Sequence, residues 1–342
     1  MRKSPLFAAY TSDEVMDLKK RALIPLLVCA SALILDSRCA ADSARDALNL
    51  CIQTLIPGLF PMFVISTMLV PQLSGLRIPG LSRLLGIPEG SEGIFLLGCA
   101  GGFPVGAACI VQAVESGGMD RRTAERMLGI SSFCGPAFLF GVIGSSFSLK
   151  DAGLLFLIQL ESAVLTAAFW PSTSAGPLQA EKIRPVSLPE AMKRSTGSLA
   201  SVCAWVTLAA VAAGFLRRWL TALLPETVNV ILTGTLELTS GVFTLHQLQS
   251  PELQLVLCAF FVCFGGISVL LQIGSLATGA GLSMGACVAQ KSLQGILGAM
   301  LTSGFLAFGP IFLLLGLLLP AGKIAVEISG RMMYNGSRKE GI

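Results

Sequence analysis

Glu237 is the residue with the sharpest chemical promise. It stands between two runs, 227–236 and 238–251, that hold no Asp, Glu, Lys or Arg. A carboxylate at membrane depth is energetically expensive and reads as functional by default. It could coordinate a cation, carry a proton or accept a hydrogen bond from a substrate. Thr239 and Ser240 follow it directly. The competing reading is a carboxylate near an interface, paired with Arg217 or Arg218. Glu161 is similar but weaker, because a helix over 152–170 could slide to bring it to a membrane face. Lys291 separates two long apolar runs. It either snorkels at a boundary, which is the preferred reading, or lends positive charge to an anion path.

Around these residues the hydrophobic stretches are interrupted four times. Gly98, Gly102 and Gly106 form a small-xxx-small series that would share one face of a helix and admit a close neighbour. Phe103-Pro104 interrupts that helix, and Pro104 removes a backbone donor. Freed backbone groups in lipid must be covered by protein or line a wet cavity. The second break is Ser131-Ser132-Phe133-Cys134-Gly135-Pro136. A half-helix starting near Pro136 would present N–H groups that favour an anion. The third is Leu236 to Gly241, and the fourth is Gly265-Gly266-Ile267-Ser268 with Gln272 one turn beyond. The candidate substrate-binding set is therefore Gly102, Pro104, Gly106, Ser132, Gly135, Pro136, Glu237, Thr239, Ser240, Gly266, Ser268 and Gln272. The plainer alternative is a set of kinks in ordinary packing helices.

The elements that carry these breaks are membrane helices. Only 13% of the 342 residues are charged, against about 25% in a soluble domain, and the mean hydropathy is +0.76. Six runs lack Asp, Glu, Lys and Arg: 47–76, 93–114, 127–149, 195–216, 253–290 and 292–322. Each passes the length test for a span of ~20 residues; the last two exceed it and should each hold a turn or a second element. The expected fold is an all-α, polytopic transmembrane protein with discontinuous helices and re-entrant hairpins in two inverted repeats. The expected divisions are an N-terminal segment 1–42, a first repeat 43–170, a polar linker 171–194, a second repeat 195–322 and a polar tail 323–342. The run 22–35 reads as a retained first helix in preference to a signal peptide. Arg77 and Arg83, Arg121, Arg122 and Arg126, and the 182–194 linker are the basic loops. The positive-inside rule puts them on one side, which favours a re-entrant hairpin over a straight span for 93–114; the spanning alternative stays open, since Arg217-Arg218 fits the rule poorly.

Several chemistries are disfavoured. The ten cysteines lie mostly in apolar runs without a Cys-x-x-Cys, and His246 is the one histidine. No metal site, disulfide framework or cofactor is expected. There is no P-loop, no His-Glu-x-x-His and no Gly-x-Ser-x-Gly, so an enzyme is not expected. The net charge of +4 is spread over loops and gives no nucleic-acid signature.

The order and spacing of Phe60-Pro61-Met62-Phe63, Gly102-Phe103-Pro104-Val105-Gly106-Ala107, Ala124-Glu125-Arg126, Gly135-Pro136-Ala137-Phe138, Leu236-Glu237 and Gly265-Gly266-Ile267-Ser268-Val269 with Gln272 resemble the YlbJ-type sporulation integral membrane proteins. These are also called stage V sporulation protein V. They belong to the nucleoside-recognition Gate-domain group, related to concentrative nucleoside transporters. The likeness covers 45–320. It implies two hairpins in an inverted-repeat core and transport of dipicolinic acid, a small aromatic dicarboxylate, by alternating access in a bacterial cell or forespore membrane. It leaves proton or cation coupling and homo-oligomerisation open. The chain departs from the family pattern at Ala108 (Lys in the pattern), at Ser132 and Gly135 (Asn) and at Leu270 (His). Those departures keep two further readings in play, a non-transporting sporulation scaffold and a nucleoside-type transporter.

Overall fold

The structure is a computed structural model that describes residues 12–170, 176–220, 223–318 and 320, with side chains from Leu23 onward. The 323–342 tail lies outside the described residues. Helix α1 (Ser12–Leu35) is followed by α2 (Ser37–Leu50), which runs through a π-helical turn, Cys51–Leu55, into α3 (Ile56–Leu73). Short α4 (Leu81–Leu85) precedes α5 (Glu92–Gly101), α6 (Val105–Glu115) and α7 (Arg121–Ile130). Next come α8 (Pro136–Phe138), a second π turn at Leu139–Ile143, α9 (Gly144–Ser146) and α10 (Leu149–Phe169). The second half holds α11 (Leu188–Leu220), α12 (Glu226–Leu236), α13 (Leu238–Thr244), α14 (Pro251–Phe264), α15 (Gly266–Gly279) and α16 (Gly285–Phe308). A last helical stretch covers 311–318. Among the described residues the only β-type pairing is a single bridge, Leu76 to Ser91.

Four stretches are long and apolar enough to cross a bilayer: Ser37–Leu73, Leu149–Phe169, Leu188–Trp219 and Pro251–Gly279. Large apolar side chains stand exposed on them, among them Ile52, Leu157, Leu208 and Leu271, while Gln159, Glu161, Gln272, Gln290, Lys291 and Gln294 are buried. Apolar outside and polar inside is the pattern of a protein solvated by lipid. The chain is a multi-pass, all-α integral membrane protein.

Local sequence explains where the elements stop. Asp120 caps α7 by accepting the Thr123 N–H, Ser148 caps α10, and Ser250 with Pro251 starts α14. The two over-long runs resolve as expected. Gly281 turns the chain between α15 and α16, and Gly309-Pro310 separates α16 from 311–318.

The linker departs from expectation. Its last part, from Leu188, is already the first turn of α11, where Pro189 is tolerated because the first-turn N–H has no partner to lose. The preceding stretch is docked on the first half. Leu178 N–H donates to Glu89 O and Gln179 N–H to Gly118 O, both at 3.0 Å, and Leu178 and Ile183 are buried.

Candidate functional site

The chain folds back on itself within 93–114 as a hairpin of α5 and α6. Gly102 adopts φ +74° and ψ −173°, a conformation that L side chains rarely reach, and this ends α5. The chain reverses through Phe103-Pro104, and Pro104 caps α6. Gly98 and Gly106 then face each other across the hairpin: a Cβ on Gly106 would lie 3.1 Å from Gly98 Cα. The glycine series is thus not one face of a helix, as spacing alone suggested, but the inner seam between two legs. The Ser131 carbonyl oxygen nests against both Gly98 and Gly106. The second half repeats the device. Helices α12 and α13 fold back at Glu237, Gly241 packs on Gly234 Cα, and the Phe261 ring lies over Gly234.

The four breaks form one chain of contacts. A Cβ on Gly102 would lie 2.6 Å from Gly135 N, so the first hairpin tip stands against the break between α7 and α8. The Phe103 ring reaches Gly265, where a Cβ would come within 3.0 Å of Cζ. Gly266, with φ +83°, abuts the second hairpin tip, with Leu238 N at 3.2 Å from its notional Cβ. Each half therefore sets a hairpin tip against a helix break, and Phe103 joins the halves.

Lys291 of α16 sits inside this junction, 1% exposed. Its Nζ donates to Ser132 O at 3.0 Å and to Gln294 Oε1 at 2.9 Å, and it lies 5.0 Å over the Phe103 ring, within cation–π range. Gln294 Nε2 in turn donates to Gly129 O at 3.0 Å. No carboxylate of the described residues pairs with Lys291. The snorkelling reading is therefore overturned: α16 packs along α7, α10 and α14, which carries position 291 into the interior. One residue earlier, Gln290 is fully buried, and neither side-chain polar atom has a partner. Ser131 Oγ is likewise unpaired. Buried polar groups without partners are rare, and here they belong to the sequence neighbours of Lys291 and of its acceptor Ser132.

The predicted site residues fall into two groups. Gly102, Pro104, Gly106, Gly135, Pro136 and Gly266 build the junction with their backbones. Ser132 contributes its carbonyl, because its hydroxyl is used locally on Leu128 O. Ser268 and Gln272 are buried nearby and bond each other at 3.2 Å. Glu237, Thr239 and Ser240 point elsewhere. The Glu237 carboxylate accepts the Thr239 N–H at 3.0 Å and the Ser240 N–H at 2.6 Å, capping α13, and lines a cleft of about 460 Å³ with Asp46, Arg217 and His246. Arg218, the other suggested partner of Glu237, pairs instead with Asp36 at 2.7 Å. Sequence reasoning missed Phe103, Gln294 and Gln159, whose amide holds both Cys134 N and Cys134 O, at 3.0 and 2.9 Å. A polar amide within an apolar run was the one signal available for the two glutamines.

A second cleft, of about 640 Å³, lies between α3, α6, α11 and α15 and is lined by Thr67, Gln112, Glu115, Lys193 and Arg194. Lys193 and Arg217 sit near the two ends of α11. At ~1.5 Å per residue they are about 36 Å apart, more than the hydrocarbon thickness of a bilayer. The two clefts therefore open toward opposite ends of α11. The first hairpin lines one with Gln112 and Glu115, and the second lines the other with Glu237 and His246.

A polytopic helical membrane protein with converging helix breaks is the class these features define. Among curated proteins, the sporulation integral membrane protein YlbJ of Bacillus subtilis (strain 168) is similar, with 22% identity over 137 residues. The match covers 39% of this chain and 33% of that protein, so it spans about a third of the relative's length. No protein-family description matches the chain, and no solved structure does.

Proposed function

We propose that this protein moves a small anionic solute across the membrane by alternating access between the two clefts, without catalysing a reaction. The observation that carries the reading is Lys291, a buried cation with no carboxylate partner among the described residues, held between Phe103 of the first break and Ser132 of the second. A buried, unpaired charge is strongly unfavourable, and an anionic ligand would supply the missing partner. The unpaired Gln290 amide N–H and Ser131 hydroxyl are groups that can donate hydrogen bonds to an anion. The Phe103 ring beside the ammonium suits an aromatic solute. The doubled order of hairpin, broken helix and long helix, with hairpins entering from opposite ends of α11, supports an inverted-repeat core. The partial likeness to a sporulation protein makes dipicolinic acid the first solute to try and a sporulating cell's membrane the first setting.

The test is uptake of labelled dipicolinate into proteoliposomes, with a nucleoside in a parallel arm. Accumulation above empty liposomes that Lys291→Met abolishes supports the reading. Uptake equal to empty liposomes for dipicolinate, other small aromatic carboxylates and nucleosides would sink it. That result would leave a membrane scaffold, a reading favoured by one feature, the internally satisfied Ser268–Gln272 pair.

A further inference from the structure

Glu161 lies 12 residues from the start of α10 and eight from its end, about 18 and 12 Å along the axis at ~1.5 Å per residue. It is therefore well inside the span and not at a face. It is 6% exposed, and its Oε1 has no hydrogen-bond partner. The surroundings are apolar: Ile158, Leu165, Leu301 and Phe312 belong to one packed cluster with Cys263. The final stretch, 311–318, closes over the group. Gly316 lies directly against Glu161 Oε1, so close that a Cβ there would displace the carboxyl.

Among the described residues, no ion pair or hydrogen bond engages Glu161 Oε1. Stretch 311–318 carries no titratable residue. Of the elements packed on α10, α14 offers Cys258 and Cys263, and α16 offers Lys291, whose bonds go to Ser132 O and Gln294. Helix α7 offers Arg126, bonded to the carbonyls of Leu85, Gly86 and Ala167, and α4 offers Arg83. On α10 itself, Lys150 and Asp151 lie more than two turns away, at the helix start. Burying an ionised carboxylate without donors is strongly unfavourable, and the neutral acid is the form that fits.

We infer that Glu161 is a buried proton-binding site, with 311–318 as its cover. The carboxyl group holds its proton while the cover is seated, and it gives the proton to water when the cover lifts from Gly316. Glu237 is not the equivalent group, because its carboxylate is engaged by two backbone N–H donors at an open cleft. Two residues before Glu161, Gln159 holds the backbone of Cys134 in the second break. A shift of α10 on proton release would reach the junction by that route. Only this last link rests on the transport reading.

The experiment is infrared spectroscopy of the full-length protein in nanodiscs, titrated through neutral pH. The expected result is a protonated carboxylic-acid carbonyl band at neutral pH that disappears in Glu161→Gln, moves in frequency in Glu161→Asp and persists in Glu237→Gln. Gly316→Ala, which displaces the carboxyl but keeps it, should move the band's midpoint toward lower pH. Absence of the band in the wild type, or its persistence in Glu161→Gln, would overturn the inference whether or not the protein transports anything. In liposomes that do show uptake, Glu161→Gln should abolish the response to a pH gradient, and failure of uptake alone would count only against the transport reading.

Discussion

Lys291 Nζ and the Ser132 carbonyl oxygen lie 3.0 Å apart, a contact that bridges 159 residues and fixes α16 to the break between α7 and α8. The ammonium has three donors. Two are used, on Ser132 O and Gln294 Oε1, and the third has no hydrogen-bond acceptor among the described residues. Removing the charge should therefore change binding more than folding. We expect Lys291→Met to lower solute uptake by at least about tenfold, a loss of roughly 1.4 kcal/mol or more, while Lys291→Arg retains part of it. Binding isotherms on the purified variants check this, and equal affinity for wild type and Lys291→Met would contradict it.

The glycines of the junction should separate sharply from those of the exposed helices. Gly102→Ala forces a Cβ into Gly135 and holds an L residue at φ +74°. It should cost about 1–3 kcal/mol, with Gly135→Ala behaving alike. Gly197, in α11, has nothing within 4 Å of a notional Cβ. There Ala should stabilise by about 0.5–1 kcal/mol through helix propensity. Thermal unfolding in one detergent orders the three variants. A Gly102→Ala protein as stable as Gly197→Ala would refute the close backbone crossing.

The arrangement about α11 predicts the sidedness of labelling. In a cysteine-free background, Lys193→Cys and His246→Cys should react with a membrane-impermeant maleimide from opposite sides of the bilayer. The basic loops place Lys193 on the cytoplasmic side. Labelling of both from one side would refute the opposed hairpins.

Asp120, outside the spans, gives a pH prediction. Burial pushes its carboxyl upward, but the Thr123 hydroxyl at 2.6 Å and the Thr123 N–H at 3.0 Å outweigh that, and the group lies below its ordinary value. A carboxyl depressed by folding contributes stability above its unfolded value, near pH 4. That contribution is lost as pH falls through the folded value. Asp120→Ala should thus flatten the acid limb of the melting temperature and lower it at neutral pH by the equivalent of about 1 kcal/mol, the worth of a helix cap. An unchanged acid limb would show that the cap contributes nothing in the folded state.

The membrane class and the break positions were legible because both are written locally. Uncharged length signals a span, and glycine beside proline signals an interruption. The reversal within 93–114 also agrees with the hairpin that the arginines at 83 and 121 favour. What the chain could not disclose is which side chains meet across long separations. Lys291 looked like a boundary residue because it separates two long uncharged runs, 253–290 and 292–322. Only packing against α7, α10 and α14 shows that the face of α16 carrying Lys291 is covered. Glu237 looked like the functional carboxylate because it is flanked by uncharged residues. Its use as the cap of α13 depends on the chain reversing at that residue, a tertiary event without a local signature. The glycine series was seen but assigned to a continuous helix, because periodicity cannot reveal a reversal at its centre.

Helix α11 is the one long, unbroken element that lines both clefts. Past the Gly197-Ser198 pair near its start, its interior holds no Pro or π turn that would kink it. Tilting it to widen the mouth beside Lys193 must swing the end near Arg217 the other way, as a lever does about its fulcrum. That end is tethered, since Arg218 pairs with Asp36 and the Trp219 ring N–H donates to the same carboxylate at 3.2 Å. The short corner between α1 and α2 would then travel with the lever, which gives a peripheral pair of helices a mechanical part in the motion of the core.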